Sequence, residues 1–234
     1  MLEYKRPADS KSEREFIHRF IDDIPEIRRN QYGNRWVQLG DSPTTLYTAH
    51  TDDVAFSSGK RRVQYSEELQ RLSVARGEKD CLGADDATGI YILLHLIEHK
   101  VSGLYLFCRA EETGGYPSYQ FARRNTNLLR NITKVISFDR RGKQDVVTHQ
   151  SGERCCSDRY SKELCRQLNM NHKICTTGVF TDSYNFLDII PECTNISVGY
   201  ENEHTRFEYQ ELQYLDLLLE NLLQVDFEHL PVER

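Results

Sequence analysis

Apolar residues recur along the chain with two periods, and the switching between those periods lays out the elements. In residues 10–24, Phe16, Ile17, Phe20 and Ile21 fall on one face, which predicts an opening helix with Ser10 or Ser12 as its cap. Residues 35–39 and 44–50 read as strands joined by the turn Gly40-Asp41-Ser42-Pro43. Residues 56–80 are polar and read as loop, with one short strand near Val63. Residues 86–99 predict a helix bearing Ile90, Ile92, Leu93, Leu94, Leu96 and Ile97. That helix is apolar on nearly every side, so it must be deeply buried. Short strands are expected at 104–108, 134–138, 145–148 and 193–198, and helices at 121–129, 157–168 and 209–223.

Strands alternating with helices predict an α/β fold, a mixed and mostly parallel sheet sandwiched by helices in three layers. In such sheets, sites form where the carboxyl ends of strands run into loops. The chain has 234 residues, 38% hydrophobic and 10% aromatic, enough for one sizeable core. No repeat, low-complexity tract or linker divides it, so residues 1–234 are expected to form one domain. Thirty basic residues against thirty-six acidic ones give a net charge of −6. That balance lacks the electrostatic footprint of a nucleic-acid or anionic-membrane binder. The basic runs Lys60-Arg61-Arg62 and Arg123-Arg124 read as solvated surface charge. No apolar run reaches transmembrane length, and the opening MLEYKRPADSKSEREF lacks the apolar core of a signal peptide. Seven scattered cysteines without a C-x-x-C read as reduced thiols packed as small core residues. Together these features lead us to expect a cytoplasmic protein.

The residues able to carry chemistry sit at the ends of the predicted strands. His50 closes one strand and Asp52 follows it. An imidazole nitrogen binds zinc at about 2.0–2.1 Å, and a nearby carboxylate can accept the other ring N–H. Alone, the pair reads equally well as strand-end polarity. Gly83-Ala84-Asp85-Asp86-Ala87-Thr88-Gly89 leads into the buried helix. Its two carboxylates read as a helix cap or, because a carboxylate has two oxygens, as a bridge between two metals. Glu111-Glu112 end a strand and run into Gly114-Gly115. Adjacent like charges are unfavourable without solvent or a cation. In a site, one of the two would bind metal and the other would act as general base. Asp139 stands at the tip of an apolar strand and His204 in the loop before the last helix. Either alone reads as an ordinary surface group.

Taken in order, H-x-D, G-A-D-D, E-E, strand-end D and late H, the series resembles the co-catalytic di-zinc exopeptidases: the aminopeptidase, carboxypeptidase G and peptidase T group. The segment LGADDATGI is closest to the peptidase T-like branch, and the resemblance spans about residues 44–210. It implies that His50, Asp85 and Asp139 hold one zinc and that Asp85, Glu112 and His204 hold the other. It also implies that Asp52 supports His50, that Glu111 is the general base, and that the Asp85–Asp86 peptide is cis. The implied cofactors are two Zn2+ ions, with Co2+ or Mn2+ as alternatives. The implied activity is hydrolysis of a peptide or small amide bond by metal-activated water. Relatives with aspartate at the Asp139 position are mostly aminopeptidases, so removal of N-terminal residues is expected. A di-zinc amidase or deacylase acting on N-acylated small molecules, and an inactive metal-binding homologue, are the other readings.

Many relatives carry a dimerisation or lid domain between the strand-end acid and the last histidine. Here only residues 140–203 lie between them, and they read as part of the core domain. The segment Gly178-Val179-Phe180-Thr181-Asp182-Ser183 resembles a family loop that lines the substrate pocket, so Asp182 or Tyr184 is expected to touch substrate. Arg109, Arg140 and Arg141 lie beside expected ligands, where a guanidinium can pair with a substrate carboxylate or balance the acidic site. One rival metal motif exists. His95-Leu96-Ile97-Glu98-His99 matches H-x-x-E-H, the inverted zinc-protease signature. It sits at the C-terminal end of its helix, where histidine is favoured anyway, and far from the expected ligands.

Overall fold

Strands 45–50, 103–108 and 192–197 contain no exposed or half-exposed residue, the burial pattern of strands covered on both faces. The computed structural model describes residues 1–234 and builds these strands into the middle of an eight-stranded sheet. In chain order its strands are Arg28–Arg29 (β1), Arg35–Leu39 (β2), Thr45–His50 (β3), Gly103–Cys108 (β4), Lys134–Arg140 (β5), Asp145–Val147 (β6), Lys173–Cys175 (β7) and Glu192–Ser197 (β8). They lie side by side as β7-β6-β8-β5-β3-β4-β2-β1. β8, β5, β3 and β4 run parallel to one another. β2 returns antiparallel on β4, and β6 pairs antiparallel with β8. The four parallel strands therefore end on one edge, and the loops that follow them share that edge.

The helices Lys11–Phe20 (α1), Ala84–Glu98 (α2), Tyr116–Arg124 (α3), Asp158–Leu168 (α4) and Leu212–Leu222 (α5) flank the sheet. Ser10 caps α1 by accepting the Glu13 N–H at 3.0 Å, and Ser157 caps α4 by accepting the Tyr160 N–H at 3.2 Å. α2 packs on β3 and β5 with Ile90, Ile92, Leu93 and Leu96 fully buried. One contiguous core of 47 buried residues joins sheet and helices. No helix is long and apolar enough to cross a membrane.

Several elements differ from the sequence reading, each for a physical reason. Residues 56–80 hold a hairpin, Val63–Ser66 with Arg71–Val74, rather than loop with one short strand. Its apolar positions are few because it is half-exposed. Tyr209–Glu211, expected as helix, is a strand that pairs with that hairpin, and Tyr200–Glu201 completes a second sheet of four strands. Helix α5 consequently starts at Leu212. α3 starts five residues before expectation because Pro117 lies in its first turn, where its missing N–H costs nothing. β7 is three residues long and was not visible in the pattern.

Candidate metal centre

β3 ends at His50, and its imidazole is 1% exposed. Its Nε2 lies 3.0 Å from Asp85 Oδ1, 3.5 Å from Asp139 Oδ1 and 4.0 Å from Glu111 Oε2. Asp85 arrives from the start of α2, where Gly83 takes a left-handed φ of 69° and the Asp85–Asp86 peptide is cis. Its other oxygen, Oδ2, lies 3.1 Å from His204 Nε2, and that nitrogen is 2.9 Å from Glu112 Oε1. Two triads result, sharing Asp85: His50, Asp85 and Asp139, and Asp85, Glu112 and His204. Within each, one donor atom per residue lies within 4.8 Å of the others.

The shell behind these groups fixes them through backbone N–H groups. Asp52 accepts from the N–H groups of Glu111 at 3.1 Å and Glu112 at 3.2 Å. Its carboxylate is 3.5 Å from His50 Nδ1, while its own backbone carbonyl accepts from that nitrogen at 3.2 Å. Asp52 thus ties the β3 end to the loop after β4, in addition to supporting His50. Asp86 accepts from the His50 N–H at 3.0 Å and the Gly89 N–H at 2.9 Å. Glu208 accepts from the N–H groups of Gly83 at 2.8 Å and Asp85 at 3.0 Å. Asp139 is held by the Thr181 hydroxyl at 2.6 Å and the Tyr200 hydroxyl at 3.1 Å. His204 itself has a left-handed φ of 64°, a conformation that costs on the order of 1–3 kcal/mol and persists only where the surroundings enforce it.

The donor set fits metal ions. Glu112 Oε1 is buried and accepts no hydrogen bond, although His204 Nε2 is only 2.9 Å away. The two atoms touch without aligning, as ligands do when they point at a common centre instead of at each other. Asp85, Glu111, Glu112 and Asp139 also crowd together with no lysine or arginine paired to any of them. Burial, reinforced by the neighbouring Asp139, Asp182 and Asp85 charges, outweighs the opposing pull of His50 and leaves the Glu111 carboxyl well above its usual range. Burial alone would lower the pKa of His50, but Asp139, Asp52 and Asp85 outweigh it and hold it well up. Divalent cations would relieve this crowding of carboxylates.

The groups open on a cleft of about 450 Å³. Val147, Val179 and Phe180 give it an apolar wall, and Arg140, Arg141 and Glu203 stand around it. Arg140 is turned to Asp145 at 3.0 Å and Arg141 to Glu203 at 2.8 Å. Asp182 and Tyr184 do not line this cleft. Asp182 is 1% exposed, shut in beneath the site, and the Tyr184 hydroxyl donates to Glu153 at 3.0 Å. From the same loop, Val179 and Phe180 line the cleft in their stead. Arg109 is turned to Glu13 and Asp9 at 2.5 and 2.8 Å, so it anchors α1. The H-x-x-E-H residues lie at the opposite end of α2 and none lines the cleft. Glu208, Tyr200, Thr181 and Asp86 were missed as site residues; for Asp86 the signal was its place beside Asp85, and the others gave none.

No family model matches the chain, and no curated protein sequence matches it. Solved structures do. A tripeptidase from Staphylococcus aureus aligns with a TM-score of 0.75 at 12% identity, covering 95% of this chain and 94% of that one. Aminopeptidase PepT from Bacillus cereus aligns at 0.72 and 12% identity, covering 97% and 94%. A zinc aminopeptidase from Bacillus subtilis aligns at 0.53 and 16% identity, covering 84% of this chain and 52% of that one. The chain shares the α/β fold of these exopeptidases.

Proposed function

We infer that the protein is a metallopeptidase with two zinc ions that removes N-terminal residues from short peptides. The observation that carries this reading is the division of Asp85. One of its oxygens faces His50 at 3.0 Å and the other faces His204 at 3.1 Å, with Asp139 and Glu112 completing the two triads. Bound zinc supplies Lewis acidity at such a site, lowering the pKa of water toward about 7 and stabilising negative charge on a carbonyl oxygen. The chain's own groups supply the rest. Glu111 lines the cleft beside His50 and accepts no hydrogen bond, so its carboxylate is free to take a proton from the attacking water and pass it to the leaving amine. Asp52 sets the position of that carboxylate through the Glu111 N–H. Val147, Val179 and Phe180 receive an apolar side chain. A cleft of about 450 Å³ has the size of a small-ligand site and suits a short peptide. The structural neighbours, a tripeptidase and two aminopeptidases, support the same reading.

The test is an assay of zinc-replete and chelator-treated protein against amino-acid anilides, di- and tripeptides, and N-acyl amino acids. Chelator-sensitive release of N-terminal residues is expected. Hydrolysis confined to the N-acyl amino acids would replace the aminopeptidase with a deacylase. Absence of turnover on every substrate, with two ions bound, would overturn the enzyme reading.

A further inference from the structure

The H-x-x-E-H residues take no part in the cleft, yet they form a third compact group of donors. His95, Glu98 and His99 each place one ligand atom within 4.8 Å of the others at the C-terminal end of α2. Their rings and carboxylate share one face because positions three and four apart on a helix are neighbours. The two imidazole rings lie 4.2 Å apart between centroids, tilted by 40°.

Three features prepare this group for a cation. The His99 Nδ1–H donates to the His95 backbone carbonyl at 2.9 Å. That bond fixes the ring and its tautomer, leaving the Nε2 lone pair free, the arrangement usual in metal-bound histidine. The site also lies over the last turn of α2, where unpaired carbonyls and the helix dipole favour positive charge by about 0.3–1 kcal/mol. Finally, His95 is half-buried while Glu98 and His99 are exposed, so an ion can enter from solvent.

We propose that His95, Glu98 and His99 form a peripheral binding site for a late first-row divalent ion such as Zn2+, Ni2+ or Cu2+. Two imidazoles and one carboxylate suit these ions; Mg2+ and Ca2+ want oxygen ligands. Three protein ligands leave the fourth tetrahedral position to water. The site is distinct from the cleft. Ala87, just past the kink at Asp85–Asp86, and His95 are eight residues apart on α2, a rise of about 12 Å. An ion here is held in addition to any ions in the cleft.

The experiment counts ions by difference. Wild type and the His95→Ala/His99→Ala variant are each titrated with Zn2+ against a chromophoric chelator. The wild type is expected to take up one ion more than the variant. Equal counts and affinities would overturn the proposal. Because the result is a difference, it does not depend on how many ions the cleft holds, and it stands or falls apart from the peptidase reading. Glu98→Gln, which leaves both rings in place, is expected to weaken the extra ion at least threefold, and an unchanged affinity would remove the carboxylate from the site. Ring resonances of His95 and His99 should shift in step on Zn2+ addition, and rings that do not respond would also overturn it.

Discussion

Glu208 gives the sharpest test of how the centre is held. It is fully buried, and both of its oxygens accept backbone N–H groups, one from Gly83 at 2.8 Å and one from Asp85 at 3.0 Å. It thus clamps the chain on either side of Ala84, at the point where Asp85 turns toward both histidines. It also lies four residues after His204, so the same carboxylate ties the loop of one ligand to the backbone of another.

Glu208→Ala strands two buried donors. Each stranded donor costs about 1–3 kcal/mol, so the sum is about 2–6 kcal/mol, and the cavity left behind pushes toward the upper part of that range. Glu208→Gln keeps one acceptor and turns its NH2 on the other N–H, so it should cost roughly half as much. Outer partners of metal ligands typically contribute about 10–100-fold in metal affinity. Under the proposed two-ion reading the loss should fall on both ions, because Asp85 belongs to both triads. Urea unfolding in excess chelator isolates the structural part. Zinc competition against a chromophoric chelator gives the metal part. A Glu208→Ala protein within 0.5 kcal/mol of wild type on the order of measurement error, with zinc affinity unchanged, would refute the clamp.

The other predictions can be put briefly. Glu111→Gln should keep its metal content and lose about 10²–10⁴ in turnover; near-normal turnover would remove Glu111 as the base. Gly89→Ala would place a Cβ 2.5 Å from both Asp86 oxygens and from the Phe138 carbonyl, so it should destabilise by about 1–3 kcal/mol, read as a fall in melting temperature. His172 is buried, its Nδ1 has no hydrogen-bond partner, and burial lowers its pKa to about 4. A histidine depressed on folding binds its proton more readily when unfolded. Its contribution is therefore complete above about pH 6.5 and is lost as pH falls toward 4, by about 3 kcal/mol at most. His172→Gln should flatten the difference in urea midpoint between pH 7 and pH 4.5, and parallel profiles for the two proteins would count against it.

The sheet was legible, and so was the gathering of His50, Asp85, Glu112, Asp139 and His204 in one place, for one reason: both depend on residues whose chemistry is local. A strand such as Thr45–His50 is buried on both faces, so its composition announces it, and the parallel order then gathers His50, Glu111, Glu112 and Asp139 at one edge without further information. Pieces that depend on a partner distant in sequence did not show. The Val63–Ser66 hairpin is half-exposed and is completed by Tyr209–Glu211, about 140 residues later, so neither segment carries a strong pattern of its own. Asp182 and Tyr184 were expected at the cleft because their loop passes it. Which side chain of a loop faces inward is decided by packing, and the buried 3-10 turn Asp182–Phe186 turns Asp182 under the sheet.

The acids show the same limit in its most useful form. Asp52, Asp53, Asp85, Asp86, Glu111, Glu112, Asp139 and Glu208 are the same kind of group in different surroundings, and the donors around them differ. Asp52, Asp86 and Glu208 each accept two backbone N–H groups, and Asp53 accepts two more while pairing with Arg61 and Arg6. These four acids accept backbone N–H groups and so hold backbone in place, although burial still raises the carboxyls of Asp86 and, to about 7, Glu208. Asp85, Glu111 and Glu112 accept no backbone N–H, and Asp139 has only two hydroxyls. A buried carboxylate without such donors is costly unless a cation compensates it. Asp85, Glu112 and Asp139 are grouped with His50 and His204, while Asp182, also buried with one oxygen unpartnered, is not. Backbone donors therefore mark which of these acids hold the chain in place, and they do so through contacts that form only once the chain has folded.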